Sequence, residues 1–146
     1  MAKYHQGKYI VKSPEKYLGN HLNVVYRSSW ELKFMNWCDS TSTVVKWASE
    51  ETIVPYRCAT DNKIHRYYLD FKIQVKSNSG LKTYLVEIKP DIQTKPPVFK
   101  GKQTKRYLTE SLTFMKNQSK WEAANSHAKD RGWEFVVLTE YHLGIK

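Results

Sequence analysis

An acidic residue two positions before a lysine puts a carboxylate and an ammonium on one face of an extended strand. That pairing suits phosphodiester chemistry, in which a hard cation sits against the phosphate and a cationic group steers the attacking water. The chain of 146 residues holds four such pairs: Glu31–Lys33, Asp61–Lys63, Asp70–Lys72 and Glu87–Lys89. About two are expected by chance in a sequence of this composition, so context must choose among them.

Context favours Glu87–Lys89. It closes the run Tyr84-Leu85-Val86-Glu87-Ile88-Lys89-Pro90, where a period of two sets Glu87 and Lys89 on one face and Val86 and Ile88 on the other. Asp70 belongs to an alternating stretch over residues 65–76, in which Tyr67, Leu69, Phe71, Ile73 and Val75 point one way. Tyr68, Asp70, Lys72 and Gln74 point the other way. Ser77-Asn78-Ser79-Gly80 is a turn between these two strands, and a hairpin centred there brings Asp70 to the Glu87–Lys89 end. Glu31 adds a third carboxylate if its helix packs on the sheet edge. Mg²⁺ or Mn²⁺ bound by these acids would lower the pKa of a coordinated water, and Lys89 would position or deprotonate it. Taken singly, each acid has a plainer reading: a strand carboxylate is usually solvated or paired with a neighbour such as Lys72, and Glu31 is a surface helix residue. The conjunction on paired strands, with a basic loop directly after, carries the argument.

The elements that must hold these residues are legible as a sequence of periods. Residues 1–22 are rich in Lys and Tyr without a clear period, and 1–25 read as a basic arm, lying on the domain or on DNA, with the domain proper over 26–146. Ser28 and Ser29 can cap a helix in which Trp30, Phe34, Trp37 and Cys38 share one face, ending near Asp39. Strands are expected over 43–47 and 52–56, the second at an edge or a strand end because of Pro55. Residues 90–106 form a loop with Lys95, Lys100, Lys102, Lys105 and Arg106, expected to grip DNA phosphates. A second helix follows over 104–130, with a break near Asn117 and a stop at Gly132, and then a buried strand over 133–141. This is an α/β domain with a mixed central sheet flanked by helices, in the order α-β-β-β-β-α-β.

A formal charge of +10 and an isoelectric point near 9.5 point to a polyanionic partner. Cys38 and Cys58 allow one disulfide, but two free thiols is the simpler reading, and their spacing is not that of a metal site. The basic N-terminus lacks the apolar core of a signal peptide, and no apolar run is long enough to span a bilayer.

Ser28-Ser29-Trp30-Glu31-x-x-Phe34, Tyr67-Tyr68-Leu69-Asp70-Phe71 and Val86-Glu87-Ile88-Lys89-Pro90, in that order, resemble the PD-(D/E)xK nuclease superfamily. Within it, the chain is most similar to the endonuclease subunit of heteromeric bacterial transposases and its viral relatives. Trp47, Glu51, Tyr56, Lys120-Trp121-x-x-Ala124, Gly132 and the stretch 135–140 also fit that group. In size and single-domain character the chain resembles the head-completion nucleases of T-even-type tailed phages. The resemblance implies a restriction-endonuclease-like core and a Mg²⁺- or Mn²⁺-dependent deoxyribonuclease. Asp70, Glu87, the Ile88 carbonyl and Glu31 would hold metal, and Lys89 would be the catalytic lysine. It further implies action on packaged double-stranded DNA, phage head or portal proteins as partners, and residence in the virion or host cytoplasm. Leu69 stands where the superfamily's namesake motif has proline. Two other readings remain open here: a DNA-binding head-completion or adaptor protein without catalysis, and a transposon- or restriction-type endonuclease that needs a targeting partner. No helix-turn-helix or zinc finger signals sequence specificity.

Overall fold

Tyr9, Val11, Tyr17 and Val24 are buried, and they fix how the chain begins in the computed structural model, which describes residues 6–145. Strand β1 (Gly7–Lys8) pairs antiparallel with β2 (Val25–Tyr26), and Tyr9 and Tyr17 set their rings edge-on against Trp47. The basic segment thus lies on the domain and supplies part of its core over 9–24. Residues 1–5 of the expected arm lie outside the described residues.

Ser28 caps helix α1 (Ser29–Ser40), its Oγ accepting the Glu31 N–H at 3.1 Å. The buried side of α1 is Trp30, Phe34, Met35, Cys38 and Asp39. Trp37, expected in the core, is 44% exposed. The apolar face is rotated from the expected one because Asp39 turns inward: Tyr9 Oη, the Lys12 N–H and Trp47 Nε1 all donate to its carboxylate. A buried carboxylate is tolerable only when satisfied in this way.

Strands β3 (Val44–Ser49), β4 (Ile53–Arg57), β5 (Ile64–Tyr68), β6 (Phe71–Ser77) and β7 (Gly80–Ile88) follow. The expected single strand over 65–76 is therefore two, β5 and β6, interrupted at Leu69 and Asp70. The element order is accordingly α-β-β-β-β-β-α-β after the two short N-terminal strands, one strand more than expected between the helices. β5 pairs with β4 in a separate hairpin, while β6 lies between β3 and β7 in the main sheet. The interruption changes sides as well as partners: Tyr67 and Leu69 join one apolar cluster, Phe71 and Ile73 the other.

The hairpin turn is where the sequence places it, with Ser77 opposite Gly80 and Gly80 at φ +114. Helix α2 (Lys105–Asp130) starts at its Thr104 cap and runs unbroken through Asn117, which is buried rather than a breaking point. Lys105 and Arg106 consequently belong to its first turn and not to the preceding loop. Gly132, at φ +74, ends the helix, and β8 (Glu134–Leu138) returns parallel to β7 through this helical crossover. The four-stranded mixed sheet has the order β3-β6-β7-β8. Phe34, Met35 and Cys38 of α1 pack with one of its faces. Trp121, Ala124 and Ala128 of α2 pack on the other, where their spacing makes one helical stripe. Cys38 and Cys58 are free thiols in different clusters. Among the described residues no helix is long and apolar enough to cross a membrane.

Candidate active site

Asp70 sits at the point where the chain leaves the β4–β5 hairpin and enters the main sheet, and its surroundings pin it there. Leu69 N–H donates to the Thr52 carbonyl at 3.0 Å, and Glu50 N–H donates to the Asp70 carbonyl at 3.1 Å. Glu50 reaches that position in the left-handed region, at φ 55, which costs a non-glycine residue local strain. The Asp70 carboxylate accepts the Ile88 N–H at 2.8 Å. Since Phe71 pairs with Val86, Asp70 lies beside Glu87, as the hairpin register requires.

Glu87 shares the face of Leu85, toward α2, and is only 6% exposed. Its Oε1 accepts the Tyr67 hydroxyl at 2.7 Å, and its Oε2 lies 3.6 Å from Lys89 Nζ. Lys89 follows β7 directly, and its N–H is held by the Leu138 carbonyl of β8 at 2.9 Å. Burial pushes the Asp70 carboxyl well above the usual range, the Glu87 charge pushes it further, and the Ile88 N–H opposes both. Glu31 raises Asp70 and Lys89 lowers it, which sets both side chains within electrostatic reach. Glu31 is itself raised, chiefly by burial, with Arg27 backbone hydrogen bonding opposing. The structure therefore brings Asp70, Glu87 and Lys89 together, and Glu31 approaches from the start of α1.

The other acid–lysine pairs do not converge in this way. Lys33 is exposed on α1. Lys63 gives its N–H to Asp61 on the far hairpin turn. Lys72 lies over the Trp133 ring, 4.3 Å from its centroid.

Two residues at the site escape the sequence argument. Tyr67, buried beneath Glu87, has its hydroxyl acidity suppressed by burial and by the adjacent carboxylate. Lys120 extends from α2 over the Tyr67 ring, 5.4 Å from its centroid. Burial lowers the Lys120 ammonium, and Glu87 and Asp70 pull it back up. A lysine in a helix of many charges reads as a solvated face. The available signal was its place beside Trp121 in the buried 117–121–124–128 stripe.

Two adjoining carboxylates with little solvent repel each other, and a proton or a cation relieves that repulsion. Asp70 and Glu87 supply hard oxygen donors, as a divalent metal of the Mg²⁺ type requires. The basic segment leads away from this point. Its start is anchored where Asp91 N–H donates to Glu140 at 2.7 Å. Lys95 pairs with Asp91 at 2.9 Å and Arg106 with Glu110 at 3.5 Å. Lys100, Lys102 and Lys105 are exposed, and Phe99 packs edge-on against Tyr107.

The family match gives the class: residues 41–140 match the TnsA-like endonuclease N-terminal family, and the chain belongs to it. It is 39% identical to the head completion nuclease of Enterobacteria phage T4 over 140 residues, covering 93% of this chain and 91% of that protein. Asp70, Glu87 and Lys89 fall within the family match, whereas Glu31 precedes it. No solved structure matches the chain.

Proposed function

We propose that this protein is a metal-dependent DNA nuclease with a restriction-endonuclease-like core, hydrolysing phosphodiester bonds of packaged phage DNA during head completion and head–tail joining. The convergence of Asp70 and Glu87 with Lys89 3.6 Å from Glu87 carries this reading. The likeness to a head completion nuclease supports the biological setting. Asp70, Glu87 and the Ile88 carbonyl would hold Mg²⁺ or Mn²⁺, with Glu31 as a further acid. When bound, the cation offsets phosphate charge and makes a water acidic enough to serve as nucleophile. Tyr67 fixes one oxygen of Glu87 so that the other is aimed at the site, and the Ile88 N–H does the same for Asp70. Lys89 holds or deprotonates the attacking water, and Lys120 adds positive charge from the α2 side. Phage head or portal proteins are the proposed protein partners.

Purified protein incubated with linear and with circular duplex DNA, in Mg²⁺, Mn²⁺ or EDTA, tests the activity. Cleavage in either metal and none in EDTA is the expected result. Metal-independent DNA binding without cleavage would identify an adaptor instead, and cleavage only after addition of a targeting partner a transposon-type enzyme.

Glu31→Ala should lower the cleavage rate roughly tenfold or more, the scale on which supports of metal sites act. Glu50→Ala and Glu51→Ala should do less. Equal, mild effects at all three positions, measured as initial rates, would return Glu31 to the role of a surface helix residue.

The segment 95–106 is the proposed grip on phosphates. Lys95 and Arg106 are engaged in exposed ion pairs, which are weak enough to be exchanged for a phosphate. If Lys95, Lys100, Lys102 and Lys105 all contact backbone, neutralising the four together should flatten the dependence of log affinity on log salt by roughly 0.9 per lost contact. Binding should weaken alike for every sequence, and turnover at saturating DNA should survive. An unchanged salt slope would move the DNA track elsewhere, to the N-terminal lysines or to Lys116 and Lys120.

A further inference from the structure

The turn between β4 and β5 gathers a second set of ligating groups, chemically unlike the carboxylates of the active site. Cys58 Sγ, an Asp61 carboxylate oxygen and a His65 ring nitrogen all lie within 4.8 Å of one another. The turn's backbone holds them there. Cys58 N–H donates to the Lys63 carbonyl at 2.9 Å, and Asn62 N–H donates to the Cys58 carbonyl at 2.7 Å. Asn62 sits in the left-handed region at φ 57, a conformation that asparagine tolerates, and the Arg57 guanidinium holds its carbonyl at 2.8 Å. Asp61 Oδ1 accepts the Lys63 N–H at 3.0 Å, which turns Oδ2 toward His65 Nε2 at 2.7 Å. One carboxylate oxygen is thus fixed by backbone while the other faces the cluster, the arrangement that orients a metal-binding acid.

We propose that Cys58, Asp61 and His65 bind one Zn²⁺-class ion that clips the β4–β5 turn, leaving a fourth position for water. A thiol, an imidazole and a carboxylate suit a borderline-soft ion, whereas Mg²⁺ takes an all-oxygen shell. Bond lengths at tetrahedral zinc set the donors about 3.3–3.8 Å apart, so an ion entering the cluster would part the 2.7 Å contact between Asp61 and His65 and take its place. In closing, the Cys58 thiol yields its proton to solvent, its sulfur gives up the 3.0 Å contact with Thr60, and His65 binds as neutral imidazole. The two cysteines have no zinc-type spacing to each other, so the site exists only through the mixed donors of one turn.

The clip sits where it can steady the active site. Ala59 N–H, inside the clipped turn, donates to Ser119 of α2 at 3.1 Å, one residue before Lys120. His65 lies on β5 two residues before Tyr67, whose hydroxyl holds Glu87. The plain alternative is an exposed His65–Asp61 ion pair above a buried thiol, and it predicts no metal affinity.

Titrating the chelator-stripped full chain with Co²⁺ in excess Mg²⁺ separates the two, since thiolate ligation gives a near-ultraviolet charge-transfer band that a carboxylate site cannot produce. One equivalent of Co²⁺ should give that band, and Zn²⁺ should displace it. It should vanish in Cys58→Ser and persist in Cys38→Ala and in Asp70→Asn, so its fate is independent of the nuclease reading. Losing a direct ligand should cost at least the ~10-fold that losing an outer-shell partner costs, so His65→Ala, on a half-exposed position, should weaken Co²⁺ by no less. No band in the unaltered protein, a band surviving in Cys58→Ser, or unchanged affinity in His65→Ala would each overturn the proposal.

Discussion

Asp70→Asn should abolish cleavage and at the same time make the metal-free protein more stable. The loss of activity follows from the proposed role of Asp70 as a metal ligand. A bound cation contributes several kcal/mol of transition-state charge stabilisation, so a fall of at least ~10³ in rate is expected. The gain in stability follows from the surroundings of Asp70, where burial and the neighbouring Glu87 disfavour the ionised carboxylate. Its folded pKa is raised above that of the unfolded chain. Between those two values the folded state holds more protons than the unfolded state, and stability falls as pH rises. In chelator, the unaltered protein should therefore lose thermal stability as pH climbs from the ordinary carboxyl range through the raised value, while Asp70→Asn loses less. Mg²⁺ or Mn²⁺ should raise the melting temperature of the unaltered protein and leave that of the variant nearly unmoved, because ligand binding to the native state stabilises by mass action. An active Asp70→Asn, or metal stabilisation undiminished in it, would remove Asp70 from the site.

The hairpin register was the most legible part of the chemistry. A strong turn signal at 77–80 and period-two patterning on both sides set Asp70 against Glu87, and a one-residue slip would have turned every side chain over. The interruption at Leu69 and Asp70 was not legible. Tyr67, Leu69, Phe71 and Ile73 keep perfect alternation, yet the first two pack in one apolar cluster and the last two in the other. Periodicity reports sides only within one strand, and here the chain steps from a peripheral hairpin into the main sheet without a glycine or proline to mark it. Asp39 shows a different limit. A carboxylate reads as solvent-facing unless its partners are known, and those partners come from other elements, Tyr9 and Lys12 from the N-terminal segment and Trp47 from β3. For the same reason Tyr67 and Lys120 were invisible as site residues: each reaches Glu87 or its neighbour only through the packing of α2 and the β4–β5 hairpin on the sheet.

Lys89→Ala should lose turnover by roughly 10²–10⁴, the usual worth of a positioned proton-transfer group, while Mn²⁺ affinity stays within a few-fold. The split follows from geometry. Lys89 Nζ lies 3.6 Å from Glu87, close enough to neutralise the carboxylate and too cationic to be a metal ligand itself. Removing it leaves Asp70, Glu87 and Glu31 as acids with one fewer positive neighbour, which favours a bound cation rather than opposing it. What disappears is the group beside the attacking water. Lys89→Arg should restore charge without restoring rate, since the broad planar guanidinium cannot place a single compact donor where the Lys89 ammonium stands. Lys72→Ala serves as the comparison, because Lys72 spends its ammonium on the Trp133 ring at 4.3 Å and should cost little activity. Single-turnover cleavage measures the first quantity and calorimetric Mn²⁺ titration the second. A collapse of Mn²⁺ affinity in folded Lys89→Ala would make the lysine part of the metal's own support, and a Lys72-dependent, Lys89-independent enzyme would shift the catalytic pair to Asp70–Lys72.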